Sequence, residues 1–205
     1  GGIKTVSETA PRARFYLHPA ALSPKFSGQP GASRAIGMSE ENRKTIRDAA
    51  ARTTWTQSPV EIADCIFVTG EIPLRNNFED TGGKFFLDED CSQPDPLPDD
   101  QALFFDTREG LVAVLGCGHA GVVNTLEHIQ RLAGNRPIRA VIGGLHLLNA
   151  GPERMNQTLE AFRRWNIPQI VPGHCTGLAA VARLRENFPG RCAALNTGCR
   201  FAFAR

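Results

Sequence analysis

Short apolar runs and helix-like apolar spacing alternate along the second half of the chain. Two apolar runs, 101–105 and 111–115, flank the polar turn Asp106–Gly110 and predict a β-hairpin. Residues 121–133 carry apolar side chains at the spacing of an amphipathic helix that lies on a sheet. Beyond them the pattern predicts strands at 138–142 and 169–171, helices at 153–165 and 177–187, and a pair of short strands near 192–203. This alternation is typical of α/β proteins with helices packed on a sheet, and we predict that fold class.

The first half of the chain is less regular. Residues 12–17 and Glu61–Thr69 are rich in aromatic and β-branched side chains and predict strands, with a shorter strand at 53–56. Ser39 is a typical helix N-cap, so the sequence predicts a helix that begins after it and runs to about Arg52.

Two polar segments interrupt this half. The chain begins with Gly1-Gly2-Ile3, which is expected to be the end of a loop. Residues 18–38 are rich in Pro, Gly and Ser, which predicts an irregular loop. Residues 76–100 are polar and rich in Pro and Asp, and we interpret them as a flap or insertion. The expectation is therefore a single domain over residues 1–205 that carries this flap.

Composition excludes several classes of protein. Of the 205 residues, 41% are apolar and 21% charged, and the formal net charge is +2, which is typical of a globular chain and not of a disordered one. No stretch approaches the roughly 18 uncharged apolar residues of a membrane span. No basic run stands out either. We therefore expect a small-molecule substrate as partner, and neither nucleic acid nor membrane.

The cysteines indicate a reducing compartment. There are 6 of them and no Cys-x-x-Cys, so a zinc ribbon and a thioredoxin-type motif are both absent. A disulfide framework is typical of small secreted chains, and no signal peptide is visible here. Reduced thiols in a cytoplasmic protein are the expected state.

Three of the five histidines share one context. His119, His146 and His174 each follow a predicted strand closely, with glycine beside them. If those strands run parallel, their carboxyl ends meet at one edge of the sheet, where α/β proteins bind ligands. Neutral imidazole is a common zinc ligand and also suits iron. The sequence therefore favours a metal site, although a single loop histidine would more simply bond to backbone.

Other polar residues are candidates for substrate contact. His18 ends a strand, but Pro19 beside it also suggests a structural turn. Glu71 and Arg75 could contact a substrate or belong to an ordinary strand-exit loop.

Two cysteines lie close to the strand-end histidines. A thiolate nucleophile at Cys117 or Cys175 is conceivable. Adjacent residues in an extended segment point to opposite faces, which argues against Cys175 and His174 acting together. A buried structural role is therefore predicted for both cysteines, with Cys117 also kept as a candidate for substrate contact.

A glycine pattern offers a different interpretation. Gly116, Gly118 and Gly121 match G-x-G-x-x-G between a strand and a helix, the setting of a dinucleotide fingerprint. That fingerprint needs an acidic residue about 20 positions later at the next strand end, where this chain has glycines and His146. An NAD(P)-binding oxidoreductase is therefore the alternative and not the first hypothesis.

Four segments of the chain are informative when taken together: Phe67–Pro73, Gly116–Asn124, Gly143–Leu147 and Val171–Gly177. In this order they resemble the metallo-β-lactamase superfamily, in its dihydropterin-ribofuranosyl-aminobenzene-phosphate synthase-like branch. The resemblance implies an αββα sandwich and a metal-dependent hydrolase or related transferase. The substrate it implies is small, and either phosphorylated or pterin-like.

The resemblance also implies a metal site with two divalent ions, zinc first, with manganese or iron as alternatives. His119 is similar in position to a ligand histidine of the family, and His174 to its last ligand histidine. His146 stands where the superfamily usually has a bridging aspartate, so it would bind metal or touch substrate.

One departure from the family is large. The signature His-x-His-x-Asp-His is absent from these 205 residues. The chain resembles the part of the fold that follows the signature, so we expect it to be incomplete, to hold metal weakly through its histidines and to be inactive alone. It would then form a homo-oligomer or need a missing N-terminal half, and a non-catalytic binding or dimerisation role stays open.

Overall fold

A six-stranded sheet with parallel strands at one end organises the second part of the chain. The computed structural model describes residues 2–204. Contacts divide the chain into a first unit, residues 1–58 with 83–99, and a second unit, residues 59–82 with 100–205. Two of the three boundaries fall inside the segment predicted as a flap, of which residues 83–99 belong to the first unit and the rest to the second.

The sheet of the second unit has six strands: β5 (Val60–Ala63), β6 (Ile66–Val68), β8 (Ala102–Thr107), β9 (Gly110–Leu115), β10 (Ile138–Gly144) and β11 (Gln169–Gly173). They lie in the order β11-β10-β9-β8-β6-β5. Strands β5, β6, β8 and β9 pair antiparallel in turn, whereas β9, β10 and β11 pair parallel. The α/β prediction and the predicted hairpin are thereby confirmed.

Helices join the parallel strands, as parallel pairing requires. They are α3 (Val122–Leu132) between β9 and β10, α4 (Pro152–Arg164) between β10 and β11, and α5 (Leu178–Asn187) after β11. Their apolar faces pack on the sheet in one core with Leu126, Phe162 and Leu184, each 0% exposed. Residues Leu111–Ala113 of β9 are also completely buried, so both faces of this central strand are covered.

The first unit is built from short elements. They are α1 (Ile3–Thr9), β1 (Phe15–Leu17), β2 (Phe26–Ser27), β3 (Arg34–Ala35), α2 (Glu40–Asp48), β4 (Thr53–Trp55) and β7 (Phe85–Phe86). Strand β1 pairs parallel with β4, and β2 lies between β3 and β7 in an antiparallel sheet. Ser39 caps α2 as predicted, since its hydroxyl accepts a hydrogen bond from Asn42 N at 3.3 Å.

Three sequence-based expectations about elements were wrong. Ile3 was expected to belong to the end of a loop, but it is the first residue of helix α1. The predicted strand 61–69 is a hairpin, because the chain turns at Cys65, whose φ is +57°. The pair of strands near 192–203 is absent from the described residues; this segment instead bonds along β11, with Ala193 N donating to Ile170 O and Leu195 N to Pro172 O.

No helix in the described part of the chain is long and apolar enough to cross a membrane.

Candidate functional site

The three strand-end histidines lie at one edge of the sheet. The registers show that β9, β10 and β11 run parallel, as the sequence argument required. His119 follows β9, His146 follows β10 and His174 follows β11. The three histidines therefore lie at one edge because the strands run in the same direction. The conformations of the loops after the strands determine which of their atoms come into contact.

His119 and His146 are in ring contact. Their ring centroids are 4.1 Å apart and the planes are inclined by 45°. His119 Nδ1 lies 2.9 Å from the carbonyl oxygen of Thr81, and His146 Nε2 lies 3.4 Å from that of Gly82. Histidines that bind metals usually donate their second ring N–H to such an oxygen, which fixes the tautomer and the ring orientation.

The loop that supplies these two carbonyls is held in place by its neighbours. Arg154 Nη1, on α4, donates to Asp80 Oδ1 at 2.8 Å, and Asp80 Oδ1 also accepts from Gly82 N. At Gly82, where φ is +74°, a Cβ would come within 2.0 Å of the His146 ring. Only glycine therefore allows the loop to approach His146 so closely.

The second ring nitrogen of His146 is available to a ligand. Its Nδ1 is buried and has no hydrogen-bond partner in the described structure. Interaction with the Cys175 side chain raises the pKa of His146, and burial of the ring opposes that shift. A buried acceptor without a partner is costly, so His119 and His146 fit a pair that holds a metal ion.

His174 belongs to a second cluster with two cysteines. Its Nε2 lies 3.2 Å from Cys117 Sγ, and Cys175 Sγ lies 3.1 Å from the Cys117 carbonyl oxygen. The ligand atoms of Cys117, His174 and Cys175 all lie within 4.8 Å of one another. Among the described residues the three histidines alone do not form so tight a group.

The expectation that Cys175 and His174 point to opposite faces was wrong. It assumed an extended segment, but residues 174–176 form a 3-10 turn in which His174 has φ +52°. The turn directs both side chains to one point. The buried role predicted for both cysteines is met only in part, because Cys117 and Cys175 are each half-buried. None of the six cysteines, all of which lie within the described residues, forms a disulfide bond.

The two thiols influence each other's protonation. Their mutual hydrogen bonding lowers the pKa of Cys175 to about 4 and raises that of Cys117. The His146 side chain adds to the lowering at Cys175, whereas burial acts against it. The pair therefore favours one thiolate beside one thiol, and Cys175 connects the two histidine clusters.

Two carboxylates from other parts of the chain, which the sequence did not indicate, bind the glycine-rich turn and the start of α3. Glu79, 6% exposed, accepts hydrogen bonds from Val123 N at 2.9 Å and Asn124 N at 2.8 Å, and Asp100 accepts one from Ala120 N at 2.7 Å. Burial raises the pKa of Glu79, and its hydrogen bonds oppose the shift. No motif links Glu79 to a helix 43 residues away, so local pattern gave no signal for it.

Comparisons with known proteins agree with this geometry. No protein-family model matches the chain. Among solved structures, Tm1679, a metal-dependent hydrolase of the β-lactamase superfamily, matches with a TM-score of 0.79 and 28% identity, over 94% of this chain and 72% of that one. The chain has the metallo-β-lactamase fold.

Curated relatives point to the same branch of the superfamily. The 7,8-dihydropterin-6-methyl-4-(beta-D-ribofuranosyl)-aminobenzene-5'-phosphate synthase of Methanocaldococcus jannaschii is 29% identical over 92% of this chain. The uncharacterized protein MJ0448 of the same organism is 27% identical over 90% of it. This chain spans 64% of the length of the first relative and 67% of the second. The resemblance to the synthase-like branch is confirmed, and the relatives with a named activity are enzymes.

The three remaining candidates for substrate contact lie in different parts of this metallo-β-lactamase fold. Glu71 and Arg75 are exposed on the loop after β6, and Arg75 N donates to Asn124 Oδ1 at 2.9 Å. His18 lies in the first unit, where its Nδ1 accepts from Ala20 N at 3.1 Å beside Pro19. The structural turn considered for His18 is confirmed. Contact of these three residues with substrate stays a prediction.

We expect neither NAD nor NADP to raise the melting temperature of the protein. The amides before and within the first turn of α3 already bond to Glu79 and Asp100, whose charge would repel a pyrophosphate at that site. A cofactor that binds only the folded state would stabilise it by mass action. Thermal unfolding with millimolar cofactor measures this, and a shift of several degrees would favour the oxidoreductase hypothesis.

Proposed function

We propose that the protein is a metal-dependent hydrolase, or a related transferase, that acts on a small phosphorylated or pterin-like substrate. One observation carries the proposal: His119 and His146 meet at the carboxyl ends of parallel strands, each with a ring nitrogen next to a loop carbonyl oxygen. The name of the structural neighbour supports the metal, and the name of the curated synthase supports the pterin-like substrate.

Three histidines have the metal-binding role in this proposal. His119, His146 and His174 hold divalent metal, with zinc as the first choice and manganese or iron as alternatives. The complete site holds two ions. When bound, such a metal makes water nucleophilic near neutral pH and polarises a phosphoryl or carbonyl oxygen. The carbonyls of Thr81 and Gly82 orient two of the imidazoles, and Glu71, Arg75, Cys117 and His18 are the proposed substrate contacts.

The 205 residues by themselves are proposed to be inactive. The His-x-His-x-Asp-His signature that completes the metal site in the resembled family is absent from them. A catalytic zinc site usually has three protein ligands and a water, and the histidines here would be divided between two ions. The same reasoning supports a homo-oligomer or an N-terminal partner segment.

Gly82→Ala tests the role of the histidine pair in the protein as its gene encodes it. The added Cβ would lie 2.0 Å from His146 Cδ2 and must displace the ring. Because small misplacements in an active site can cost about 100-fold, we expect a loss of that order in metal-dependent turnover. The assay measures hydrolysis of phosphodiesters, lactones, thioesters and pterin precursors with Zn, Mn or Fe.

Gly151→Ala is the matched control. It lies in the loop before α4, where a Cβ would meet nothing within 4 Å, and its φ of −66° suits alanine. Its activity should equal that of the wild type. Absence of metal-dependent turnover on every substrate class, or equal activity of the Gly82→Ala protein, would contradict the proposal.

A further inference from the structure

Cys117, Cys175 and His174 form a group of possible metal ligands that is separate from the pair His119 and His146. Cys117 is the second residue after β9, and His174 and Cys175 follow β11 directly. Strands β9 and β11 flank β10 on opposite sides. Loops from the two flanking strands therefore meet over the end of the strand between them.

Glycine at the end of β10 makes this meeting possible. A Cβ on Gly144 would lie 2.3 Å from Gly116 O and 2.9 Å from Cys175 Sγ. Any larger residue would push the two loops apart. Gly144 N also donates to Gly116 O at 3.2 Å, and Leu145 N donates to Thr176 Oγ1 at 3.1 Å, which ties both loops to β10.

The separations suit a tetrahedral metal ion. With Zn–S of about 2.3 Å and Zn–N of about 2.0–2.1 Å, two ligand atoms on one zinc ion lie about 3.6–3.8 Å apart. The Cys117 Sγ to His174 Nε2 distance is 3.2 Å, and all three atoms lie within 4.8 Å of one another. Small side-chain rotations would bring them to the required separations.

We propose that Cys117, His174 and Cys175 bind one zinc ion and leave its fourth position open to water. Thiolate and imidazole are the ligands that zinc prefers, and two cysteines with one histidine make up the protein ligands of one known class of catalytic zinc site. His174 is exposed and both cysteines are half-buried, so an ion can reach the group from solvent.

This site differs from the histidine pair in its ligands. It shares His174 with the proposed hydrolase site, but it does not require His119 or His146 and does not depend on hydrolysis. The site also implies that the 205-residue chain binds metal more tightly than its three imidazoles alone would allow, because two thiolates add the ligands that the histidines lack.

Cobalt titration tests the proposal directly. Co²⁺ substitutes for zinc, and a thiolate bound to it gives a charge-transfer band in the near ultraviolet. We expect the 205-residue chain, kept reduced with a phosphine, to develop this band with one equivalent of Co²⁺ and to lose it on addition of Zn²⁺. Cys117→Ser and Cys175→Ser should weaken binding by more than about 100-fold, since even changes beyond the ligands can cost 10- to 100-fold.

Matched variants separate this site from the histidine pair and from folding defects. Cys199→Ser, at an exposed cysteine, and His119→Ala should both retain the band. Far-ultraviolet circular dichroism checks that each variant is folded, and Zn²⁺ should raise the melting temperature of the wild type but not of the Cys117→Ser/Cys175→Ser protein. Hydrolase assays of the same variants report on the proposed function independently.

Three results would overturn the site. The first is a wild-type chain that binds Co²⁺ without a thiolate band or does not bind it at all. The second is a band that persists in the folded Cys117→Ser/Cys175→Ser protein. A band that disappears in His119→Ala would assign the metal to the histidine site and equally reject a separate thiolate site.

Discussion

Glu79→Ala should lower the free energy of unfolding of the second unit by about 3 kcal/mol. The substitution leaves the buried N–H groups of Val123 and Asn124 without their acceptor, and each such loss costs about 1–3 kcal/mol. It also leaves a void under Gly121, against which the carboxyl group packs. Urea unfolding followed by Trp165 fluorescence in a Trp55→Phe background measures the effect, because Trp165 lies at the end of α4.

The pH dependence of this loss has a defined sign. Burial raises the pKa of Glu79 above its ordinary 4.5, so the folded state holds that proton more firmly than the unfolded state does. The contribution of Glu79 to stability is therefore largest below 4.5 and decreases as the pH rises through its folded pKa. The difference between wild type and Glu79→Ala should be larger at pH 4 than at pH 7.

Glu153→Ala is the control for Glu79. Glu153 is likewise a carboxylate at a helix N-terminus, in the first turn of α4, but it is exposed. Its interaction with the helix dipole should contribute no more than about 1 kcal/mol. Equal losses for the two alanine variants, or a difference that grows with pH, would contradict the assignment of Glu79 as a buried acceptor.

Lys25→Met should destabilise the first unit by about 3–5 kcal/mol. Lys25 Nζ lies 2.6 Å from Asp95 Oδ2 and 2.7 Å from Asp99 Oδ1, and the side chains of Lys25 and Asp95 are 10% and 1% exposed. Methionine keeps the length of the side chain but leaves two carboxylates near each other without a cation, and breaking a buried pair costs about that much. Trp55 fluorescence during urea unfolding in a Trp165→Phe background reports this, since Trp55 lies in β4.

The exposed pair Lys44–Asp48 provides the control. Its Nζ to Oδ2 distance is also 2.6 Å, but the side chains are 69% and 61% exposed. Lys44→Met should therefore change the free energy of unfolding by less than about 1 kcal/mol. If Lys25→Met costs no more than Lys44→Met, the buried ion pair is not a determinant of this unit's stability.

Local patterns in the sequence were sufficient for the fold class and for most of the second unit. Apolar periodicity gave the hairpin β8–β9 and the helices α3 to α5, because each element buries one face against its immediate neighbours. The order of strands and helices then implied parallel strands, and parallel strands put His119, His146 and His174 at one edge. The Ser39 cap likewise depends on a local contact, with Asn42 three positions later.

Apolar periodicity did not predict the backbone turns that occur inside or next to the predicted strands. Cys65 divides a predicted strand at φ +57°, and His174 turns at φ +52°, although neither is a glycine. Left-handed conformations of such residues are held by the surrounding structure and not by their own preference. That is why the sequence placed His174 and Cys175 on opposite faces.

What the sequence by itself determined about this protein is therefore the α/β order of elements and the edge of the sheet where its histidines lie. Only the tertiary structure decided which side chains meet there. Cys117 and His174 are 57 residues apart, and Glu79 reaches Asn124 across 45. Contacts over such separations depend on sheet order and on glycines that let loops approach, and neither leaves a period or a motif in the chain.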